Sequence, residues 1–145
     1  MVAPQWNESL ATGNIRIDAQ HRTLFSMVFN LHNAILAGTR PGALGPVLES
    51  LTKYTIEYFA HEERLMRSHN YYGYAEHKRK HDELVEQARG IISQFKLGAL
   101  DQSQPISKFL GDWITHHIEE EDKALIRWMS AAQTSHEVAT HVMSA

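Results

Sequence analysis

Four long amphipathic segments, separated by short stretches rich in glycine and proline, account for most of this 145-residue sequence. In the first segment the apolar residues recur every three or four positions, as Leu24, Phe25, Val28, Leu31 and Ile35. This spacing places them on one face of an α-helix, whereas a half-buried strand would show strict alternation. No segment shows such alternation, so the pattern predicts an all-α protein.

The breaks between the segments set the predicted boundaries. Asp18 is a candidate N-cap for the first helix, and Pro105 suits the first turn of the fourth. The predicted helices span 18–37, 47–67, 74–96 and 105–129, with an N-terminal arm over 1–17 and a tail over 130–145. Helices of about this length with short connections favour an up-down-up-down four-helix bundle. We expect residues 1–145 to form a single domain.

Composition excludes several classes of function. The formal net charge is −3 with histidine neutral, which gives no basic surface for nucleic acid. No apolar run is long enough to insert into a membrane, and the N-terminus lacks the basic and apolar regions of a signal peptide. Cysteine is absent, which excludes thiolate metal sites and fits a reducing compartment. We therefore expect a cytoplasmic protein.

Ten histidines are the unusual feature of the composition, and several interrupt the apolar faces together with other polar residues. Two pairs, Tyr58 with Glu62 and His77 with His81, are four residues apart. Residues four apart lie only about 40° from each other around a helix, so both members of a pair can reach one ion. The residues concerned are His21, Tyr58, Glu62, His77, His81, His117, Glu121 and Asp122.

The depth of these residues in the bundle predicts a metal site. At a rise of about 1.5 Å per residue, they lie near the starts of helices one and three and near the ends of two and four. In an up-down bundle these positions form one layer at one end. Histidines satisfied by ordinary hydrogen bonds are the alternative for any single residue, but so many buried ionisable groups are costly unless a cation organises them. The other histidines are expected to lie in solvent, or beside the site without binding the metal. They are His32, His61, His69, His116, His136 and His141.

The type of ligand indicates which metal. Five or more protein ligands exceed what one tetrahedral zinc ion takes. Imidazoles combined with carboxylates, and no thiolate, suit two iron or manganese ions in a helical bundle. The high share of nitrogen ligands favours iron.

Helix four poses a problem of geometry. His117 and Asp122 are five residues apart, about 140° around a regular α-helix, which is too far for a shared site. A local widening of π type would bring them together, and such turns are frequent at functional sites. The alternative is a regular helix in which Glu121 takes the place of Asp122.

Four motifs in order resemble the bacteriohemerythrins, the bacterial branch of the hemerythrin oxygen-binding proteins. They are Ile17-Asp-Ala-Gln-His21, Phe59-Ala-His-Glu-Glu-Arg-Leu-Met66, His77-Lys-Arg-Lys-His81 and Trp113-Ile-Thr-His-His-Ile-Glu-Glu-Glu-Asp122. The resemblance runs from Trp6 to about Met129. It implies two iron ions joined by an oxo or hydroxo group.

The resemblance also implies a role for each ligand. His77, His81 and His117 would bind one iron and His21 the other, while Glu62 and Asp122 would bridge the two. One position departs from the family pattern, because Tyr58 stands where the family has a histidine ligand of the second iron, the iron that binds dioxygen. We expect Tyr58 to coordinate that iron as tyrosinate. The alternative is a phenol that swings away, or that fills the oxygen pocket without binding.

The function implied by the resemblance is reversible dioxygen binding, as a carrier, store or scavenger rather than an enzyme. The expected partners are dioxygen and an oxygen-consuming enzyme, and the expected oligomeric state is a monomer. Leu24, Phe25, Trp113 and Ile114 are candidates for the walls of an oxygen pocket, although ordinary core packing would explain them equally well. The alternative function is a di-iron oxidoreductase acting on peroxide or nitric oxide, since a tyrosinate would favour ferric iron. Iron storage or a purely structural metal is a third interpretation.

Overall fold

The computed structural model describes residues 5–96 and 106–132, and its long elements are all helices. Helix α1 spans Ile15–Leu36, α2 Pro41–Ser68, α3 Tyr74–Lys96 and α4 Ile106–His117. The fourth helix continues through a π-helical turn, Ile118–Asp122, into an α-helical stretch over 123–132. Helix α1 packs against α2 and α4, and α2 packs against α3. The prediction of an up-down-up-down four-helix bundle is confirmed.

The first helix begins earlier than predicted. Its N-cap is Asn14, whose side-chain oxygen accepts a hydrogen bond from the Ile17 N–H at 3.0 Å. The prediction that Asp18 caps this helix was therefore wrong. The Asp18 carboxylate instead accepts hydrogen bonds from the backbone N–H and the hydroxyl of Thr12, at 2.9 and 2.8 Å, and from the Gly13 N–H. Asp18 thus ties the N-terminal arm, with its short 3₁₀ turn Glu8–Leu10, to the bundle.

The second helix also begins earlier, at Pro41 rather than near residue 47. Proline at the first position of a helix loses no hydrogen bond, because that N–H has no partner there in any case. Pro46 lies inside the helix and removes one backbone bond. Leu44 and Leu48, on either side of it, are only 2% exposed, and their burial in the core offsets this cost.

The other predicted boundaries concern the C-terminal tail, the break before helix four and the loop between helices two and three. The predicted tail began at residue 130, but the helix continues to 132. The predicted break over 98–104 lies outside the described residues, as does the rest of the tail. The predicted loop between helices two and three is confirmed, since α2 ends at Ser68 and α3 begins at Tyr74.

One apolar core runs along the inside of the bundle and receives side chains from all four helices. Its buried members include Leu24, Val28, Leu31, Leu48, Leu84, Phe95, Ile106, Ile114 and Ile118. A smaller cluster of Met66, Tyr71 and Leu125 closes the end of the bundle near the loop between α2 and α3. Of the helices described, none is both long enough and apolar enough to cross a membrane.

The loop between α2 and α3 is held in place by an aromatic contact. A Cβ atom at Gly73 would lie only 2.8 Å from the ring of Tyr71, so a larger residue at that position would have to displace this ring. The Tyr71 ring in turn packs on Trp128 with their centroids 5.2 Å apart. This contact fixes the start of α3, from which His77 and His81 project.

Candidate metal centre

The structure brings all seven predicted ligand residues together in one buried layer. None of them is more than 5% exposed, and they come from all four helices. They are His21 on α1, Tyr58 and Glu62 on α2, His77 and His81 on α3, His117 on α4 and Asp122 at the end of the π-helical turn. Their polar atoms form two groups.

The first group contains three histidines. Nε2 of His117 lies 3.0 Å from Nε2 of His77 and 3.1 Å from Nε2 of His81. Glu62 Oε1 lies 3.0 Å from His81 Nε2 and 3.5 Å from His77 Nε2. Asp122 Oδ1 lies 3.1 Å from His77 Nε2 and 3.2 Å from His117 Nε2. Glu62, His77, His81 and His117 therefore offer four ligand atoms that all lie within 4.8 Å of one another, with Asp122 Oδ1 beside them.

The second group forms around the phenol oxygen of Tyr58. This oxygen contacts Nε2 of His21 and lies 2.9 Å from Glu62 Oε2 and 2.8 Å from Asp122 Oδ2. His21 Nε2 is itself 2.9 Å from Asp122 Oδ2. The phenol therefore points into the group rather than away from it.

Two acceptors face each other across the three-histidine group. The Nδ1 atom of His81 lies 2.9 Å from a carboxylate oxygen of Glu63. A neutral imidazole that donates from Nδ1 leaves Nε2 as an acceptor, and this Nε2 points at Glu62 Oε1. Both Glu62 Oε1 and Asp122 Oδ1 are buried and accept no hydrogen bond of good geometry, although imidazole nitrogens lie 3.0 and 3.1 Å from them. A cation between these atoms would bind His81 Nε2 and both carboxylate oxygens at once. The residues present therefore fit a metal ion.

The π-helical turn places Asp122 rather than Glu121 in the site. Within it the Lys123 N–H donates to the carbonyl of Ile118, five residues earlier. The predicted widening of helix four is confirmed. Glu121 instead pairs with Lys80 of α3, outside the ligand layer.

The charges of the site depend on one another. Burial alone would raise the pKa of the Glu62 carboxyl, but the imidazoles of His117, His77 and His81 outweigh it and lower this pKa to about 2. The pKa of Asp122 is likewise well below its ordinary value, despite burial, because of His117, His21 and His77. Both carboxylates are therefore ionised at neutral pH.

The carboxylates in turn raise the pKa values of two of the histidines. Burial disfavours charge on His77, but Asp122 and Glu62 raise the pKa of this imidazole to about 10. The same carboxylates raise the pKa of His117 to about 9 against its burial. Without a metal, protons on these two rings compensate the buried negative charge.

Tyr58 is held as a neutral phenol by its surroundings. Burial is the largest cause of its raised pKa, and the negative charges of Asp122 and Glu62 raise it further. A bound cation would reverse this balance, since a metal ion is the largest local charge in such a site.

Two aromatic side chains fix the rings of the three-histidine group. Phe59 stacks on His81 with ring centroids 3.8 Å apart and planes 7° from parallel. Trp113 stacks on His117 at 4.5 Å and 15°. The candidate oxygen-pocket residue Trp113 therefore packs against the outside of the three-histidine group.

An apolar cavity of about 30 Å³ lies inside the bundle, and none of the seven candidate ligands is among its lining residues. Among its walls are Leu24, one turn beyond His21, Thr55, one turn before Tyr58, and Ile114. Leu24 and Ile114 had been expected at such a pocket. Phe25 and Trp113 had been expected there too, but neither is among the residues that line it.

Of the remaining histidines, the four that the structure describes contribute no atom to the two donor groups. His32 had been expected in solvent or beside the site, but it is 3% exposed and lies 2.9 Å from the Ser107 hydroxyl near the start of α4, at the opposite end of the bundle. His61 is half-buried beside Gln20. His69 and His116 are exposed, and His136 and His141 lie outside the described residues.

Sequence reasoning did not single out Glu63 or Phe59, which contact His81 from α2. Both lie in the Phe59–Met66 motif, so the signal was available. The signal was the position of Glu63, which directly follows the candidate ligand Glu62 on the helix that faces His81.

Comparison with known proteins places this site in a family context. The family model "Hemerythrin HHE cation binding domain" matches residues 12–129. The bacteriohemerythrin of Methylococcus capsulatus is 35% identical over 106 residues, which are 73% of this chain and 80% of that protein. The bacteriohemerythrin of Stenotrophomonas maltophilia is 34% identical over 119 residues, 82% of this chain and 76% of that protein.

Solved structures show the same likeness in three dimensions. A crystal structure of wild-type hemerythrin superimposes with a TM-score of 0.74 at 31% identity. The superposition covers 83% of this chain and 92% of that one.

Proposed function

The chain belongs to the hemerythrin family, and from this premise we propose that it binds dioxygen at a pair of iron ions held between its four helices. Two ferrous ions would supply the electrons for reversible oxygen binding. The chain's own residues hold the ions, keep water out and control the protons around them.

The two donor groups are proposed to hold one iron each. His77, His81 and His117 would be the nitrogen ligands of the first iron. His21 and Tyr58 would serve the second. Glu62 and Asp122 would bridge the pair, together with an oxo or hydroxo group.

One observation carries the proposal: each of the two carboxylates splits its oxygens between the two donor groups. Glu62 turns Oε1 to the three histidines and Oε2 to Tyr58. Asp122 turns Oδ1 to His77 and His117 and Oδ2 to Tyr58 and His21. A site for one ion would not need this arrangement, whereas two bridging carboxylates do.

The apolar cavity in the bundle, which Leu24 and Thr55 line one turn away from His21 and Tyr58, supports a small apolar ligand. A water-sized probe needs about 10–15 Å³ by this measure, so 30 Å³ has room for a diatomic molecule. The walls are almost entirely aliphatic and offer water few hydrogen-bond partners. Dioxygen fits such a cavity better than a polar substrate does.

Tyr58 supports a second candidate, a di-iron oxidoreductase acting on peroxide or nitric oxide. A phenolate is a hard, anionic ligand and would stabilise ferric over ferrous iron. Its position among His21, Glu62 and Asp122 makes this effect direct. Oxygen binding then becomes less reversible, and turnover of an oxidant becomes easier.

Finer features of the function are also proposals. A monomer in the cytoplasm that supplies dioxygen to an oxygen-consuming enzyme fits the absence of cysteine and the modest net charge of −3. Size-exclusion chromatography with light scattering tests the oligomeric state.

Elemental analysis and a gas-exchange spectrum test the proposed function. We expect about two irons per chain after aerobic expression, and a visible band that appears when dioxygen is added to the reduced protein and disappears under vacuum. A single zinc, or metal only at trace level, would contradict the di-iron site. A band that persists under vacuum while peroxide or nitric oxide is consumed would favour the oxidoreductase.

A further inference from the structure

We propose that Glu63 is a positioning residue that gives His81 anionic character and thereby makes it the strongest nitrogen donor of the three-histidine group. The inference rests on the proposed metal site. It concerns a side chain outside the seven candidate ligands.

The contact between Glu63 and His81 is short and sheltered. A Glu63 carboxylate oxygen lies 2.9 Å from His81 Nδ1, and the side chains are 15% and 1% exposed. The ring cannot turn away from this contact, because Phe59 stacks on it at 3.8 Å. A hydrogen bond between an imidazole N–H and a carboxylate at this depth is charge-assisted and only weakly screened.

Among the described residues, the other candidate histidine ligands have no such partner. The Nδ1 atoms of His21, His77 and His117 are all buried with no hydrogen-bond partner in the structure. His81 is therefore distinguished among the four by an anionic acceptor on its outer nitrogen. Within the three-histidine group, His81 thus differs from the other two rings in the described partner of its Nδ1 atom.

The consequence for the metal follows from proton sharing. A carboxylate that accepts the Nδ1–H draws the proton towards itself and increases electron density on Nε2, the nitrogen that faces the ion. Partners of this kind raise ligand basicity and fix the tautomer. Glu63 should therefore lower the reduction potential of the iron held by His77, His81 and His117 and slow its release.

Two substitutions separate the charge from the hydrogen bond. Glu63→Gln keeps an oxygen that can accept from Nδ1 but removes the negative charge, whereas Glu63→Ala removes both. Glu57→Gln is the matched control, because it removes a negative charge from an exposed position on the same helix. Circular dichroism of each metal-free variant checks the fold.

The readouts are the midpoint potential of the iron and the rate at which a chelator removes it. Loss of a partner of this kind costs about 10–100-fold in metal affinity, and we expect Glu63→Ala to release iron faster by about this factor. Glu63→Gln should release iron at an intermediate rate, and its midpoint potential should be more positive. Glu57→Gln should leave both quantities unchanged.

The possible failures are distinguishable. If the unsubstituted chain binds no iron, the proposed function is wrong and this inference falls with it. If the chain binds two irons but Glu63→Gln has the potential and release rate of Glu57→Gln, the di-iron site stands and the role of Glu63 charge is refuted.

Discussion

Glu62 and Asp122 lie across the same two donor groups, and each presents one oxygen to the three histidines and the other to Tyr58. Since α2 supplies one of them and the end of a π-helical turn the other, the spacing of the two proposed irons depends on how these helices pack. Neither carboxylate can change its position without disturbing both groups.

Substitution at Asp122 and at its neighbour should have very different effects. Asp122→Asn removes the charge of a proposed bridge, so we expect more than half of the iron to be lost. Glu121→Gln weakens only the pair with Lys80, which is worth about 0–1 kcal/mol near the surface, and should keep two irons per chain. Elemental analysis of both purified variants makes the comparison. Iron loss in the Glu121 variant alone would reverse the assignment.

Tyr58 should mark the second iron spectroscopically. If its phenol coordinates ferric iron, the oxidised protein will show a tyrosinate-to-iron charge-transfer band that is absent in Tyr58→Phe. Tyr58→His should supply the histidine that the family resemblance predicts at this position and lengthen the lifetime of a reversible oxygen adduct. A visible spectrum unchanged by Tyr58→Phe would show that the phenol occupies the site without binding the metal.

Metal uptake should release protons. His77 and His117 have pKa values raised to about 10 and about 9 by Glu62 and Asp122, so both rings are protonated at pH 7 when no metal is bound. A metal must displace these protons to bind Nε2. We expect release of about three protons per chain at pH 7, two from these rings and one from the Tyr58 phenol as it binds as tyrosinate, and an apparent affinity that increases as the pH rises towards 9.

Calorimetric titration of the metal-free chain in two buffers of different ionisation enthalpy counts these protons. Ferrous iron under anaerobic conditions, or zinc as a redox-inert probe, is the titrant. An affinity independent of pH between 7 and 9 would show that the rings are already neutral before the metal binds.

Pro46 should be a weak point of the second helix. Pro46→Ala restores an interior backbone bond on an exposed position, and alanine is about 3 kcal/mol better than proline in a helix interior. Because Pro46 is close to the helix start, we expect a smaller gain, about 1–2 kcal/mol in the free energy of unfolding. Pro41→Ala, at the first position of the same helix, should change stability little. Thermal unfolding of the metal-free variants measures both effects.

Helix periodicity and residue spacing predicted the bundle, the ligand layer and the π-helical turn, because each depends on where a residue lies around and along one helix. The helix starts were less predictable. Asn14 and Asp18 are both good N-caps, and only the fold of the arm, in which Thr12 and Gly13 need an acceptor, decides between them. Pro46 looked like a helix breaker, since local sequence does not show that Leu44 and Leu48 are both buried in the core.

Contacts between helices could not be predicted from local sequence either. His32 is buried because Ser107, on a distant part of the chain, provides a hydrogen-bond partner at 2.9 Å. The pairing of His81 with Glu63 likewise depends on how α2 and α3 face each other. Such partners follow from the packing of complete helices rather than from the spacing within one.

The π-helical turn Ile118–Asp122 has a consequence for insertions and deletions in this chain. Deleting one residue from a regular α-helix rotates everything beyond it by about 100°, which would carry Leu125 out of the core. A π turn already holds one residue more than an α turn. Deleting Glu119 or Glu120, both exposed, would therefore convert it into an α turn and leave the later residues in nearly their present orientation. The later part of helix four therefore does not need all four residues between His117 and Asp122 to keep its orientation, and a chain shortened by one here should still fold.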